Sequence, residues 1–308
     1  MRIVVCIKEV IDSNLNLGFG RVNEELLQKG LALRLNPNDA EALAEALILK
    51  EKDKDAQVEI TVISIGPERV ECYLRDGLAL GADRAERIWG EDLKELSPYQ
   101  KAEVLSKAIS LFDADLILTG AKSMDNATGQ VGPLIAAWLD LPCVCEVVGF
   151  QLGGDRKSIT VSRSISRGVR ERVLSTLPAV LTVEGQGRKL PYASMDKILE
   201  SKYTQVTLLS LSDLGISSAE LESDPTKVTG LSFPRPRPKK VPTPESSLPA
   251  FNRILMLLQG GILKRRGKML EGNSDELVNQ LFELLMEEDV IRPTAEQGIV
   301  SQRRKGKV

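Results

Sequence analysis

Between Ile117 and Leu139 the chain reads ILTGAKSMDNATGQVGPLIAAWL. An apolar run breaks at Gly120, small and polar residues follow, and apolar periodicity resumes near Gln130. A strand, a small-residue loop and a helix start in that order hold phosphate in many folds. The helix N-terminus supplies unpaired N–H groups and the positive end of the helix dipole. Here Thr128 has a hydroxyl for a phosphate oxygen, and Gly129 lets the backbone approach closely. The stretch is neither the Walker pattern nor the three-glycine dinucleotide fingerprint. From spacing alone, a tight connection into a capped helix is an equal reading.

The chain has no histidine. That excludes His-based triads, imidazole-ligated zinc and imidazole acid–base catalysis. Asp, Glu, Lys, Cys and Tyr stay available, but a protein that positions a cofactor is favoured over one that moves protons itself. Cys6, Cys72, Cys143 and Cys145 form no framework. PCVC is C-x-C among apolar neighbours, and the four read as reduced, mostly buried thiols with no metal site. A hydrophobic content of 42% and a charged content of 27% over 308 residues describe an ordinary soluble globular chain. The net charge of −2 gives no general attraction to nucleic acid or anionic lipid, so no nucleic-acid partner is expected. No apolar stretch is long enough to span a membrane. MRIVVCIKEV enters a strand directly, without a signal-peptide pattern, which makes the cytoplasm the expected compartment.

The elements that must position the loop alternate between strand and helix. RIVVCIK, VEITVISIG and ADLILTG are near-continuous apolar runs, as expected of strands covered on both faces, and RAERIWG is a shorter candidate. Helices are predicted over Asn38–Lys50, with Asn38 or Asp39 as N-cap, after Pro67, over PYQKAEVLSKAISLF and over Gln130–Leu139. The order implies an α/β fold, a mostly parallel sheet with helices on both faces. After Pro142 the pattern changes to antiparallel hairpins, turning at GGDRK and SRG, and LPAVLTVE returns as a core strand. Then GQGRKLPYASMDKILESK runs from a loop into a short helix with Met195, Ile198 and Leu199 on one side. FPRPRPKKVPTPESSLP is an extended arm, followed by amphipathic helices near Phe251–Leu263 and Ser274–Glu288. The expected units are 1–230, a nucleotide-binding α/β domain, 231–250, the proline-rich arm, and 251–308, a helical extension.

Ligands in such a sheet bind at the carboxyl ends of the strands. Lys8, Glu9 and Asp12 follow the first strand, Asn36 to Asp39 the next loop, Gly66 and Pro67 the second run, and the Ala121–Gln130 loop the third. In order along the chain, VVCIKEVID, LNPNDAEALAEALILKE, ISIGP, ALALGADRA, the opening stretch and LPAVLTVE…PYASMDKILESK resemble the electron transfer flavoprotein beta-subunit family over residues 1–215. The resemblance implies the adenine nucleotide alpha hydrolase-like fold without hydrolase activity. It implies an electron carrier paired with an alpha subunit that carries FAD. Its donors are flavin dehydrogenases, commonly acyl-CoA dehydrogenases, in fatty acid or aromatic acid oxidation.

Carried onto this sequence, the family's buried nucleotide touches Cys6 and Ile7, Asn36, Asn38 and Asp39, Ser64 and Gly66, Gly120, and the run Asp125, Asn126, Ala127, Thr128, Gly129, Gln130 and Val131. The family's dehydrogenase-docking loop falls on Tyr192, Ala193, Ser194, Met195 and Ile198, with Met195 as the residue that plugs a partner pocket. Packing of Met195 onto its own domain is the alternative. Housekeeping members hold AMP, and bifurcating members hold a second FAD. Asn126-Ala127-Thr128-Gly129-Gln130 resembles the former, while the short loop and Val131-Gly132-Pro133 resemble the latter, a mixture that leans to FAD and leaves AMP open. IDSNLN lacks the aromatic residue that housekeeping members place near Ser13. Arg163–Arg170 either meets the partner's flavin region or is a solvated strand edge. The C-terminal third departs from the family. It is expected to stabilise the heterodimer, to support a shuttling flavin region, or, through Lys264, Arg265, Arg266 and Lys268, to dock a membrane-bound quinone-reducing acceptor. The rival function is a nucleotide-sensing protein of the same fold group that binds ATP or AMP.

Overall fold

The apolar run Arg2–Cys6 forms β1, the middle of a nine-stranded sheet. On one side it pairs in parallel with β4 (Glu59–Ile65), and on the other with β6 (Leu116–Gly120). Beyond β4 lie β5 (Arg84–Ile88) and β11 (Thr207–Leu209), and beyond β6 lie β10 (Ala179–Val183), β7 (Cys143–Leu152), β8 (Ser158–Ser164) and β9 (Arg170–Thr176). The sheet is parallel from β11 through β7, and β8 and β9 are the appended antiparallel strands. The computed structural model describes residues 1–12, 14, 32–52, 57–94, 96–185, 187–217, 221, 224–226, 244, 246–258 and 270–287.

Strand alternation divides the core into two layers. Ile3 and Val5 of β1 face Leu43 of α1 (Pro37–Lys52) and Leu74 of α2 (Glu71–Leu80). Val4 and Cys6 face the other way, toward Val104 and Leu105 of α3 (Pro98–Ser110) and Ile135 of α4 (Val131–Leu139). Both faces are apolar because both are covered, which is why the central strands read as unbroken runs. Two glycines allow close packing. A Cβ on Gly132 would lie 2.5 Å from Thr182 Cγ2, and one on Gly77 would lie 3.3 Å from Val62. The strand order reverses between β1 and β6, so the crevice at their carboxyl ends is the topological switch point.

Several local expectations are corrected. Residues Glu9–Ile11 and Leu33–Leu35 form an antiparallel pair, β2 and β3, where only a loop was expected. α1 starts at Pro37, whose fixed φ suits the first helical position. Asn36 precedes it and its carbonyl accepts from Ala40 N at 3.0 Å. Asn38 and Asp39 therefore sit inside the first turn and are not its N-cap. The three-residue β11 pairs with β5 without having been legible. Only Cys6 among the four thiols is buried; Cys72 is exposed and Cys143 and Cys145 are half-buried, because β7 leaves the covered part of the sheet.

The chain divides into two compact units, Met1–Gly230 and Leu231–Val308. The second contains α6 (Ala250–Leu258) and α7 (Ser274–Glu287). Most of the proline-rich arm, Ser13, residues 259–263 of the expected helix and the basic run from Lys264 to Lys268 lie outside the described residues. Among the described residues, no helix is long and apolar enough to cross a membrane.

Candidate functional site

The crevice is organised around Asp39. Its Oδ2 accepts from Lys8 N at 2.8 Å, and its Oδ1 accepts from Gly120 N at 3.0 Å and Asn36 Nδ2 at 2.9 Å. One carboxylate thereby ties the end of β1, the start of α1 and the end of β6. Burial pushes Asp39 up to about 7, against these N–H donors and the nearby Lys8 ammonium, which hold the ionised form. Gly120 has no side chain for a direct reason, since a Cβ there would lie 2.2 Å from Asp39 Oδ1. Asn36 adds a second tie, donating to Lys122 O at 3.2 Å and accepting from Met124 N at 3.1 Å. Asn38 donates to Lys122 O at 2.9 Å and accepts from Gly185 N at 3.1 Å.

The loop after β6 is shaped on this base. Lys8 Nζ donates to Asp125 Oδ2 at 2.6 Å and Oδ1 at 2.8 Å. Burial works to raise Asp125, but Lys8, the Ser123 hydroxyl and the Asn126 N–H together hold it below the usual carboxylate range. Lys101 of α3 stands close by, lowered by burial and by Lys8, with Asp125 working the other way. Ala127 and Gly129 adopt φ of 50° and 63°, the left-handed region. At Gly129 a Cβ would also press on Ala121 O at 3.1 Å. Gln130 occupies the N-cap position of α4 without a side-chain capping bond. Among the described residues, the N–H groups of Thr128, Gly129, Gln130, Val131 and Gly132 meet no protein acceptor. Thr128 and Gly129 border a cavity of about 250 Å³ whose far wall is Cys145, Glu146, Thr182 and Glu184. A larger hollow of about 470 Å³, between α1 and the β7–β8 turn, shares none of these residues.

Chemically this is an anion cradle. A helix start presents free N–H groups and a residue in the left-handed region brings the backbone close, with Lys122 on one wall and Glu146 and Glu184 on the other. Among the described residues of the loop from Ala121 to Gln130, no nucleophile is paired with a base. Cys6 is buried, and burial together with Asp39 pushes its thiol up, away from reactivity.

Of the residues singled out from the sequence, Gly120 and the run Asp125 to Val131 form the loop itself. Asn36, Asn38 and Asp39 adjoin it, with their polar atoms spent on joining loops. Cys6 ends β1 with Ile7 just after it, and buried Ser64 lies near the end of the neighbouring β4, with Gly66 just beyond it. Thr182 and Glu184 were not singled out, while Lys122 was included only as part of the Ala121–Gln130 loop. Lys8 was visible as the first polar residue after β1. Thr182 was visible only once β10 was known to lie beside β6.

The other set stands apart. Tyr192 is fully exposed and Met195 is 69% exposed, so Met195 does not pack onto its own domain. Ala193 is half-buried, and Ser194 caps α5 (Met195–Tyr203) by accepting from Lys197 N at 3.4 Å. Ile198 and Leu199 are exposed beside Met195. α5 is anchored by Arg75, whose Nη1 donates to Ser201 O at 2.7 Å and Thr204 O at 3.0 Å. Arg163 is paired with Glu171 across the β8–β9 hairpin at 2.6 Å.

The Electron transfer flavoprotein domain matches residues 25–213. The chain is 32% identical to the electron transfer flavoprotein subunit beta of Thermoanaerobacterium thermosaccharolyticum, over 94% of this chain and 100% of that protein. It is 30% identical to the subunit of the same name in Bacillus subtilis, over 94% of this chain and 98% of the relative. Subunit CarD of the caffeyl-CoA reductase-Etf complex of Acetobacterium woodii is 31% identical, over 74% and 86% of the two chains.

Proposed function

The chain belongs to the electron transfer flavoprotein family, and on that premise we propose that its cradle permanently holds an adenine nucleotide, FAD in preference to AMP. The chain is an electron-carrier subunit that works beside an alpha subunit, without covalent chemistry of its own. The observation that carries the nucleotide reading is the run of unclaimed N–H groups from Thr128 to Gly132 at the switch point of the sheet. An ordinary helix start leaves four donors open. Here the absence of a side-chain cap, the left-handed Gly129 and the bordering cavity all turn that need toward a phosphate. Support for FAD comes from the cavity's continuation past the loop to Cys145, Glu146 and Thr182, space beyond the phosphates, and from the Val131-Gly132-Pro133 sequence.

A bound flavin supplies one- and two-electron transfer. The residues of this chain bind and orient it: the N–H run holds the phosphates, Lys122 on the cavity wall balances their charge, and Asp39 keeps the three loops in register. Flavin dehydrogenases dock on Tyr192, Met195 and Ile198, where an exposed thioether and aromatic ring stand on an anchored helix. With a second flavin here, the heterodimer has the equipment for bifurcation. The test is to co-express the chain with its alpha subunit, release the cofactors and count them. Two FAD per heterodimer supports the reading. One FAD with one AMP moves the cradle to AMP, and no adenine nucleotide beyond the alpha subunit's FAD rejects it.

A further inference from the structure

Cys145 on the wall of the cavity and its neighbour Cys143 take no part in the reading above. Cys143 and Cys145 lie two residues apart on β7, so alternation places both on one face, and their sulfurs are 3.8 Å apart. The strand is irregular at this point. Val144 faces Leu181 but Val147 faces Val183, one residue out of step, and Glu146 has φ 58°. Such a bulge re-aims the side chains next to it. Both cysteines are half-buried, and Cys145 opens onto the cavity beside Thr182. The two share one hydrogen bond and divide their protons unequally. That bond lowers Cys145, against burial and Glu146 and with help from Thr182 and Arg163, while Cys143 is pushed up by the same bond and by burial.

We propose that Cys143 and Cys145 form a redox-active dithiol that is oxidised to an intramolecular disulfide by low-molecular-weight disulfides. The Cys145 thiolate attacks one sulfur of the small disulfide, forming a mixed disulfide and expelling a thiolate. That thiolate takes the Cys143 proton. The Cys143 sulfur then attacks Cys145 Sγ, expels the second thiolate, which takes up the proton released when Cys145 ionised, and closes the Cys143–Cys145 bond. The two protein thiols lose two electrons and two protons, and the small disulfide is reduced to two thiols. Closure brings the sulfurs from 3.8 Å to about 2.05 Å. Cys145 opens onto the cavity and so meets the small disulfide first, and Cys143, 3.8 Å away, stands where a resolving thiol must. The exchange needs the cavity open, since a nucleotide that reaches Cys145 covers the attacking sulfur.

The test uses the complete chain in its heterodimer, stripped of nucleotide, with oxidised glutathione as the probe. After acid quenching and alkylation, trypsin releases residues 123–156, bounded by Lys122 and Arg156, which hold both cysteines. The expected wild-type product is this peptide lacking two hydrogens and carrying no glutathione. Cys143→Ser accumulates one glutathione on Cys145, and Cys145→Ser reacts about tenfold more slowly, as its remaining thiol does not line the cavity. The inference is overturned by persistent glutathione on the wild-type peptide, by no reaction there, by equal rates in the two variants, or by Cys72 oxidising first. The wild-type peptide mass decides the disulfide even where a variant fails to fold.

Discussion

Replacing Asp39 by Asn isolates the hub that joins the three loops. The carboxylate accepts three N–H bonds on two oxygens, from Lys8 N, Gly120 N and Asn36 Nδ2. An amide accepts on one oxygen only. With its oxygen toward Gly120 and Asn36, its NH₂ faces the Lys8 N–H, and a buried donor is left unpaired at a cost of about 1–3 kcal/mol. Against this stands the burden of the buried charge. Asp39 is raised from its ordinary 3.8 to about 7, so its contribution to stability is fully present below 3.8, is lost as pH rises, and levels off above about 7. Between pH 5 and pH 8 that loss amounts to about 2–3 kcal/mol in the wild-type chain and is absent from Asp39→Asn. The variant is therefore expected to be less stable than wild type, or equal to it, at pH 5 and to gain on it by about 2–3 kcal/mol by pH 8. Urea unfolding of both proteins at four pH values measures the difference directly. A stability difference that does not change with pH refutes the reasoning, and one that grows in favour of wild type at high pH reverses its sign.

Two further substitutions separate cradle from docking surface. Gly129→Val forces a β-branched residue to φ 63° with its Cβ 3.1 Å from Ala121 O. It should cost about 2 kcal/mol and reduce the adenine nucleotide recovered per heterodimer to less than half, with the alpha subunit's FAD retained. Met195→Ala removes an exposed side chain, so thermal unfolding should move by no more than about 0.5 kcal/mol. The catalytic efficiency of reduction by a flavin dehydrogenase should still fall about tenfold, the expected loss of an interface anchor.

The parts of this structure that were legible are those whose cause is local. Unbroken apolar runs mark strands covered on both faces, and β1, β4, β6 and β10 all follow that pattern. The Gly120 break and the helix start near Gln130 likewise lie within one stretch of chain. What escaped notice depends on which strands become neighbours. The β2–β3 pair joins residues more than twenty positions apart, each strand only three residues long. Nothing in a three-residue stretch such as Thr207–Leu209 distinguishes an edge strand from a loop. Asp39 looked like a helix cap because Asp favours that position. Pro37 displaced the helix start by fixing its own φ, and the freed carboxylate found donors on β1 and β6 instead. The far wall of the cavity, Thr182 with Cys145 and Glu146, requires β10 and β7 to lie beyond β6, an order that no local pattern encodes.

The central claim is that the backbone from Thr128 to Gly132 holds a phosphate. Hydrogen–deuterium exchange on the heterodimer, stripped of nucleotide and then reconstituted with FAD or AMP, measures those amides themselves. The account predicts that exchange slows most at Thr128, Gly129, Gln130, Val131 and Gly132. Unchanged exchange across these five, with protection appearing elsewhere in the chain, would contradict it.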